Sequence, residues 1–296
     1  MKDANQLHTF SIALSGPLDI PRSLEVFRRS GDDGIDRWDG HRLLRTAHVE
    51  GQAIPYLCHV TGDIERPSMS ISVARDAPAV AIEAAVRHMF ITAPEALETL
   101  MAHDPHIAAL EANFRGLRPV LQAEPFTAIV RSITAQQVNL RWAATTRRRL
   151  AEGYGRRYVL GSHEVIALEP EQLASARVED LRALQFTTRK AEYVIDLAQA
   201  IVSGTLDLAG LSQATDEEIM HRLTALRGLG RWTAEWFLAR ALGRPRVVAG
   251  DLGVRKAIGA IYLQGQMPSE IEVRNRTAHW GAAAGVAQQL VLQTLV

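Results

Sequence analysis

One cysteine, Cys58, stands in a chain of 296 residues, so no internal disulfide can form. No run approaches the ~20 consecutive apolar residues of a membrane span. Met1-Lys2-Asp3-Ala4-Asn5-Gln6 carries no apolar signal region. These absences fit a reduced, cytoplasmic setting with no membrane partner. The single thiol and the ten scattered histidines show no metal-ligand spacing, so no catalytic metal is expected. There is no repeat and no low-complexity segment. Net charge is missing as well, since 33 Lys and Arg balance 33 Asp and Glu. The balance is uneven along the chain: residues 1–112 hold 10 basic and 16 acidic side chains, and residues 113–296 hold 23 and 17. For a polyanionic partner the distribution counts for more than the sum. Arg141, Arg147, Arg148, Arg149, Arg156 and Arg157 gather with only Glu152 among them. Such a run is either a solvated helix face or part of a nucleic-acid footprint.

What is present is enough apolar material, 47% of residues, for a sizeable core. The length suits two domains or one large one. In the first ~90 residues the patterning reads as a small antiparallel sheet with two helices. Phe10 to Leu14 alternates, Leu18 to Arg29 has helical spacing, and Trp38-Asp39-Gly40-His41 carries an Asp-Gly hairpin signal. Tyr56 to Thr61 is a further strand. Met69, Ile71 and Val73 alternate with Ser68, Ser70 and Ser72, a half-buried strand. Ala77 to Met89 is a helix opened by Pro78. From Pro94 onward strand signals nearly vanish, Gly153 to Leu168 is the longest irregular stretch, and helices follow one another. The expected class is therefore α+β, with an N-terminal sheet domain at residues 1–112 and an all-α region at 113–296.

The stretch from Leu223 to Lys256 organises the helical part. Leu226-Arg227-Gly228-Leu229-Gly230-Arg231-Trp232-Thr233-Ala234 is a glycine turn between two apolar, helix-like segments. Gly228 and Gly230 let a helix stop, turn and restart in very few residues. The helix beginning at about Arg231 then points free N–H groups and the positive end of its dipole outward, an anion site. Asp251 follows Gly230 by 21 positions and opens another helix, whose Val254, Ala257, Ile258, Ile261 and Tyr262 share one face. By position alone Asp251 is an N-cap. A carboxylate so fixed can also turn a free oxygen to a cleft, where it would stabilise a sugar cation or orient water. Trp232 and Trp236, at i and i+4, lie on one helix face, either a core stripe or the wall of a base pocket. Gln136-Gln137 interrupt an apolar helical pattern between two helices.

The pairing of Leu226-x-Gly228-Leu229-Gly230-x-x-Thr233-Ala234 with Val247-x-Ala249-Gly250-Asp251-Leu252-Gly253-Val254-Arg255 resembles the helix-hairpin-helix DNA glycosylase superfamily, and within it the 3-methyladenine DNA glycosylase II family. Ile133-Thr134-Ala135-Gln136-Gln137-Val138 is similar to the family's loop before the hairpin, and Arg189-Lys190-Ala191 to its basic helix start. The likeness covers most of the chain, more loosely the first ~110 residues. It implies a helix-hairpin-helix fold for the helical region and a monomer that flips and excises alkylated bases from double-stranded DNA in base excision repair. In a prokaryote it would be nucleoid-associated.

The resemblance also implies roles, residue by residue. Asp251 would be catalytic. Trp232, Trp236 and, more loosely, Phe27 would line the base pocket, with Trp142 and Trp280 as lesser candidates. Gln136, Gln137, Gly228, Leu229, Gly230, Arg231, Thr233, Arg189 and Lys190 would meet DNA, Gln137 standing where the family inserts a side chain into the gap left by the flipped base. Carbonyls of Thr224, Leu226 and Leu229 would hold a structural monovalent cation, Na⁺ or K⁺, and no cofactor is required. One cysteine excludes the four-cysteine iron–sulfur cluster of some superfamily members. Trp232 occupies the place of the lysine of strand-cleaving relatives; an indole cannot form a Schiff base, which implies a monofunctional enzyme. Lys256 reads as a phosphate or surface lysine. Ala283 replaces a usual aromatic, which implies a roomier pocket or another base preference. Two alternatives stay open: a helix-hairpin-helix DNA-binding protein without catalysis, and a glycosylase for deaminated or oxidised bases.

Overall fold

The computed structural model describes residues 6–122 and 124–296. Five strands form an antiparallel sheet in the order β1-β5-β4-β3-β2: β1 Leu7–Ala13, β2 Arg37–Trp38, β3 Arg42–Val49, β4 Gln52–Val60 and β5 Ser68–Ala74. The serine alternation sets the register. Met69, Ile71 and Val73 stand opposite Ile12, Phe10 and His8 on one side and Val60, Cys58 and Tyr56 on the other. Their buried face meets Ile82 and Val86 of the helix Ala79–Arg87 in one core. Leu18 to Arg29 is not one helix. It breaks at Glu25 into Ile20–Leu24, capped by the Asp19 carboxylate, and Val26–Arg29.

The stretch expected to be irregular holds a hairpin, β6 Arg156–Leu160 and β7 His163–Ala167. Its strands are five residues each, and Gly161 turns between them at φ +61°. The stabilising partner is distant in sequence: Leu160 and Val165 bury against Leu44 of β3. The Ile166 amide donates to the Gly34 carbonyl (2.9 Å). Local patterning cannot register such a contact.

The helical part has two cores. The first gathers Phe126, Ile129 and Ile133 with Val194, Leu223, Phe237 and Leu238. The second joins Leu97, Leu100 and Ile107, from helices Pro94–His103 and Pro105–Asn113, to Val254, Ile258, Trp280 and Leu290 near the C-terminus. The segment just before residue 112 therefore shares its core with the end of the chain and not with the sheet. The change of layer falls near residue 93, earlier than the expected boundary.

Charge ties the sheet layer to the helices. Arg131 donates to Asp33 (2.7 Å) and to Asp36 (2.7 Å), Arg147 donates to Asp33 (3.0 Å), and Arg45 of β3 pairs with Asp36 (2.7 Å), all of them buried. Burial alone would raise the Asp33 carboxyl, but Arg131 and Arg147 outweigh it and hold it below the usual range.

Candidate active site

The hairpin is built from the turn outward. Helix Asp216–Thr224 opens with a capping box of Thr215 and Glu218. After it, Leu226 donates its amide to Leu223 O (3.1 Å) and Leu229 to Leu226 O (3.2 Å), while the Leu229 side chain anchors the turn in the first core. The two glycines serve different ends. Gly228 sits at φ +87°, and a Cβ there would lie 2.2 Å from the Tyr193 ring. Gly230 has an ordinary φ of −86°, is exposed, and a Cβ on it would meet nothing within 4 Å. Helix Arg231–Arg240 starts there with no side-chain cap and no acidic residue in its first turn. Its leading N–H groups are left for something outside the fold.

The loop before the hairpin is braced against it. Gln136 Nε2 donates to Gly228 O (2.9 Å) and Lys190 Nζ donates to Thr134 O (2.9 Å). Burial lowers the Lys190 pKa. Each side chain spends one donor on an internal bond and keeps the others. Gln137 is exposed, in the left-handed region at φ +56°. Asn139 then caps the next helix, accepting from the Trp142 amide (2.8 Å). Arg189 is exposed at the start of helix Thr188–Val202. Arg231 is exposed but paired to Glu235 (3.1 Å). The Thr233 side chain is buried, so only its backbone could face a ligand.

Asp251 is both a cap and more. Oδ1 accepts from the Val254 amide (3.1 Å) at the start of helix Leu252–Tyr262, and Oδ2 accepts from Trp232 Nε1 (3.0 Å). The strand-like approach is pinned where Val248 donates its amide to Gln288 Oε1 (2.7 Å). The carboxylate is thus fixed by two donors and is only partly covered. Trp232 was expected as a pocket wall; its indole also orients the carboxylate. Trp236, one turn on, is partly buried against the first core.

The other aromatics sit in the cores or at the surface. Phe27 is buried in the sheet core, its ring covered by the guanidinium groups of Arg45 (5.4 Å) and Arg131 (5.9 Å). Trp280 and Ala283 are both buried in the C-terminal core, so Ala283 is small because helices pack there, and no roomier pocket follows from it. Trp142 is exposed, with Arg149 over its ring (5.6 Å). Of the arginine run only Arg147 is buried, on Asp33; Arg148, Arg156 and Arg157 pair with Glu152, Glu169 and Glu164 at the surface, Arg149 meets Trp142 and Gln185, and Arg141 is exposed. Among the described residues no cluster of His, Cys, Asp or Glu could hold a metal ion, and no helix is long and apolar enough to cross a membrane. Lys256 is exposed on its helix.

Sequence reasoning missed the tie between Trp232 Nε1 and Asp251 Oδ2, which joins residues 19 positions apart and carries no local signal.

A family profile described as "HhH-GPD superfamily base excision DNA repair protein" matches residues 130–282, just over half the chain. The YfjP protein of Bacillus subtilis (strain 168) is 32% identical over 175 residues, which cover 59% of this chain and 60% of the relative. DNA-3-methyladenine glycosylase 2 of Escherichia coli (strain K12) is 34% identical over 134 residues, 45% of this chain and 47% of the relative. The matches thus span between about half and three-fifths of those relatives' lengths. Among solved structures, a 3-methyladenine DNA glycosylase from Archaeoglobus fulgidus superposes with a TM-score of 0.86 at 23% identity, over 97% of this chain and 98% of that one. This last likeness establishes the fold.

Proposed function

The chain belongs to the HhH-GPD superfamily of base excision DNA repair proteins, and we propose that within it the protein is a monofunctional DNA N-glycosylase that excises alkylated bases and leaves an abasic site. The observation that carries this reading is the Asp251 carboxylate, fixed by the Val254 amide and the Trp232 indole beside an uncapped helix N-terminus. A module that only bound DNA would need the hairpin but not a carboxylate so held.

Each element has a task. The open N–H groups at Gly230 and Arg231 take a backbone phosphate of duplex DNA, a contact indifferent to sequence. Gln137, exposed and left-handed, fills the space of the flipped nucleotide. The extruded base lies along Trp232 and Trp236, whose faces attract a cationic alkylated purine. As the C1′–N bond breaks, positive charge grows on the sugar. Asp251 stabilises it, since each carboxylate oxygen keeps a lone pair beyond its present bond. Water then adds at C1′. In strand-cleaving relatives an amine would take that place; here the indole of Trp232 is already spent on Asp251, and Lys256 is exposed on its helix. The carbonyls of Thr224, Leu226 and Leu229 would hold a monovalent cation that stiffens the turn; Leu226 O has one lone pair left after accepting the Leu229 amide.

The test is single-turnover base release from a duplex carrying one 7-methylguanine, with borohydride added in a parallel reaction. Release of the free base, an intact abasic strand and no protein–DNA adduct are expected. Efficient trapping would overturn the monofunctional assignment. Tight binding to abasic DNA with no base release from any damaged duplex would favour the binding module.

A further inference from the structure

Gln137 stands in the left-handed region at φ +56°, a conformation that a residue other than glycine keeps only when its surroundings impose it. Packing does not impose it here. Residues 137–142 are exposed one after another, so the tip of this loop projects from the protein. What shapes it lies behind it. Lys190 Nζ donates to Thr134 O (2.9 Å), and Gln136 Nε2 donates to Gly228 O (2.9 Å). On the far side Asn139 caps the next helix through the Trp142 amide (2.8 Å). The loop is tied at both ends, and the strained residue lies between the ties.

The bond to Thr134 explains the place of Lys190. The residue sits in the first turn of helix Thr188–Val202, where a cation opposes its own helix dipole. The carbonyl it holds belongs to the last turn of helix Pro125–Ala135, where carbonyls lack partners within the helix and a cation is favoured. The lysine is half-buried there. Gln136 makes the second tie, to the hairpin itself. Gly228 comes two residues before Gly230, where the helix with open N–H groups begins. The loop and the hairpin are therefore held at one spacing.

We infer that Lys190, together with Gln136, is a positioning residue that holds loop 136–138 ready for a duplex, so that Gln137 enters the stack as the hairpin takes its phosphate. This rests on the glycosylase reading above. Neither residue has a part in the bond cleavage itself. Their effect is on the opening of the duplex. A loop already in shape loses little freedom on binding, whereas an untied loop is competent for only a fraction of the time. That fraction counts where a paired, stacked base has to be displaced. It counts little where the damaged base has no partner, since the flip then costs least.

The experiment compares single-turnover release of 7-methylguanine from two duplexes of one sequence, with cytosine or an abasic-site analogue opposite the lesion. Lys190→Met removes the donor and keeps the length; Lys190→Arg keeps a donor and the charge. Lys190→Met should release the base about tenfold more slowly from the cytosine duplex and within about twofold of wild type from the other. Lys190→Arg should recover most of the loss. Gln136→Leu should repeat the pattern, and it carries the test if Lys190→Met does not fold. Equal losses on both duplexes would overturn the inference; a salt dependence of binding shallower by about one phosphate would then make Lys190 a backbone contact. Wild-type rates on both duplexes, per folded molecule, would leave the bond to stability alone and overturn the inference as well. Either result leaves the glycosylase reading standing. Release of no base by the wild type would overturn that reading, and the inference with it.

Discussion

Two charge clusters lie beneath this surface, and they are built in opposite ways. Between the sheet and the helices, Asp33 and Asp36 meet Arg45, Arg131 and Arg147 at ion-pairing distance, and Asp33 also accepts the Ile35 amide (3.2 Å). Around Asp251 the partners are an amide and an indole. The first cluster ties three guanidiniums to two carboxylates by direct ion pairs and fixes how the layers meet. The second holds a carboxylate with neutral donors only, so its charge is free to act on a third party. Charge tied up in direct ion pairs is scaffolding; charge held in place without one is what a reaction can use.

The sharpest way to break this comparison is to remove one partner from the ion-paired cluster. Asp33→Asn would strand Arg147 and leave Arg131 with Asp36 alone, and should lower unfolding free energy by roughly 3–5 kcal/mol, read by urea unfolding, with base release per folded molecule little changed. In the wild type the Asp33 contribution is present above the ordinary carboxyl range and is lost as pH falls through its lowered folded value. Asp251→Asn should do the reverse. Asn caps a helix about as well as Asp, so stability should barely move, while base release falls by roughly two to three orders of magnitude. Wild-type release by that variant, measured on the same folded preparation, would end the catalytic role.

A smaller contrast sits within the hairpin. Gly228→Ala forces a Cβ into the Tyr193 ring at positive φ and should cost roughly 1–3 kcal/mol of stability. Gly230→Ala meets no protein atom, so the fold should hold, and affinity for damaged, undamaged and abasic duplexes should fall together by about tenfold if a phosphate approaches there. Lesion-selective loss would give the hairpin another task. The smallest effect belongs to His48, whose ring and amide both meet Glu124; that bond raises its pKa. A raised folded value contributes stability that is whole below about pH 6.5 and fades as pH rises through it. His48→Ala should remove that slope from unfolding curves taken between acid and neutral pH, and an unchanged slope would assign it elsewhere.

The hairpin, its following helix, the Asp251 cap and the serine-alternating strand were legible because each is local: glycine spacing, an N-cap and a period of two act within a few residues. The α+β order of sheet then helices followed from the same patterns. Tertiary structure alone decided the rest. The hairpin of β6 and β7 exists because Leu44 receives Leu160 and Val165, from more than a hundred positions away. Helices Pro94–His103 and Pro105–Asn113 join the C-terminus because the chain returns to cover them. The arginine run reads as a solvated face or a DNA footprint; the fold takes only Arg147 inside, on Asp33, and leaves Arg148, Arg156 and Arg157 exposed beside Glu152, Glu169 and Glu164. Side-chain charge is written in the sequence, but whether that charge is neutralised depends on which distant carboxylate the fold brings within 3 to 4 Å of it. That pairing spends Arg147 on structure, and its absence leaves Asp251 held by neutral donors alone.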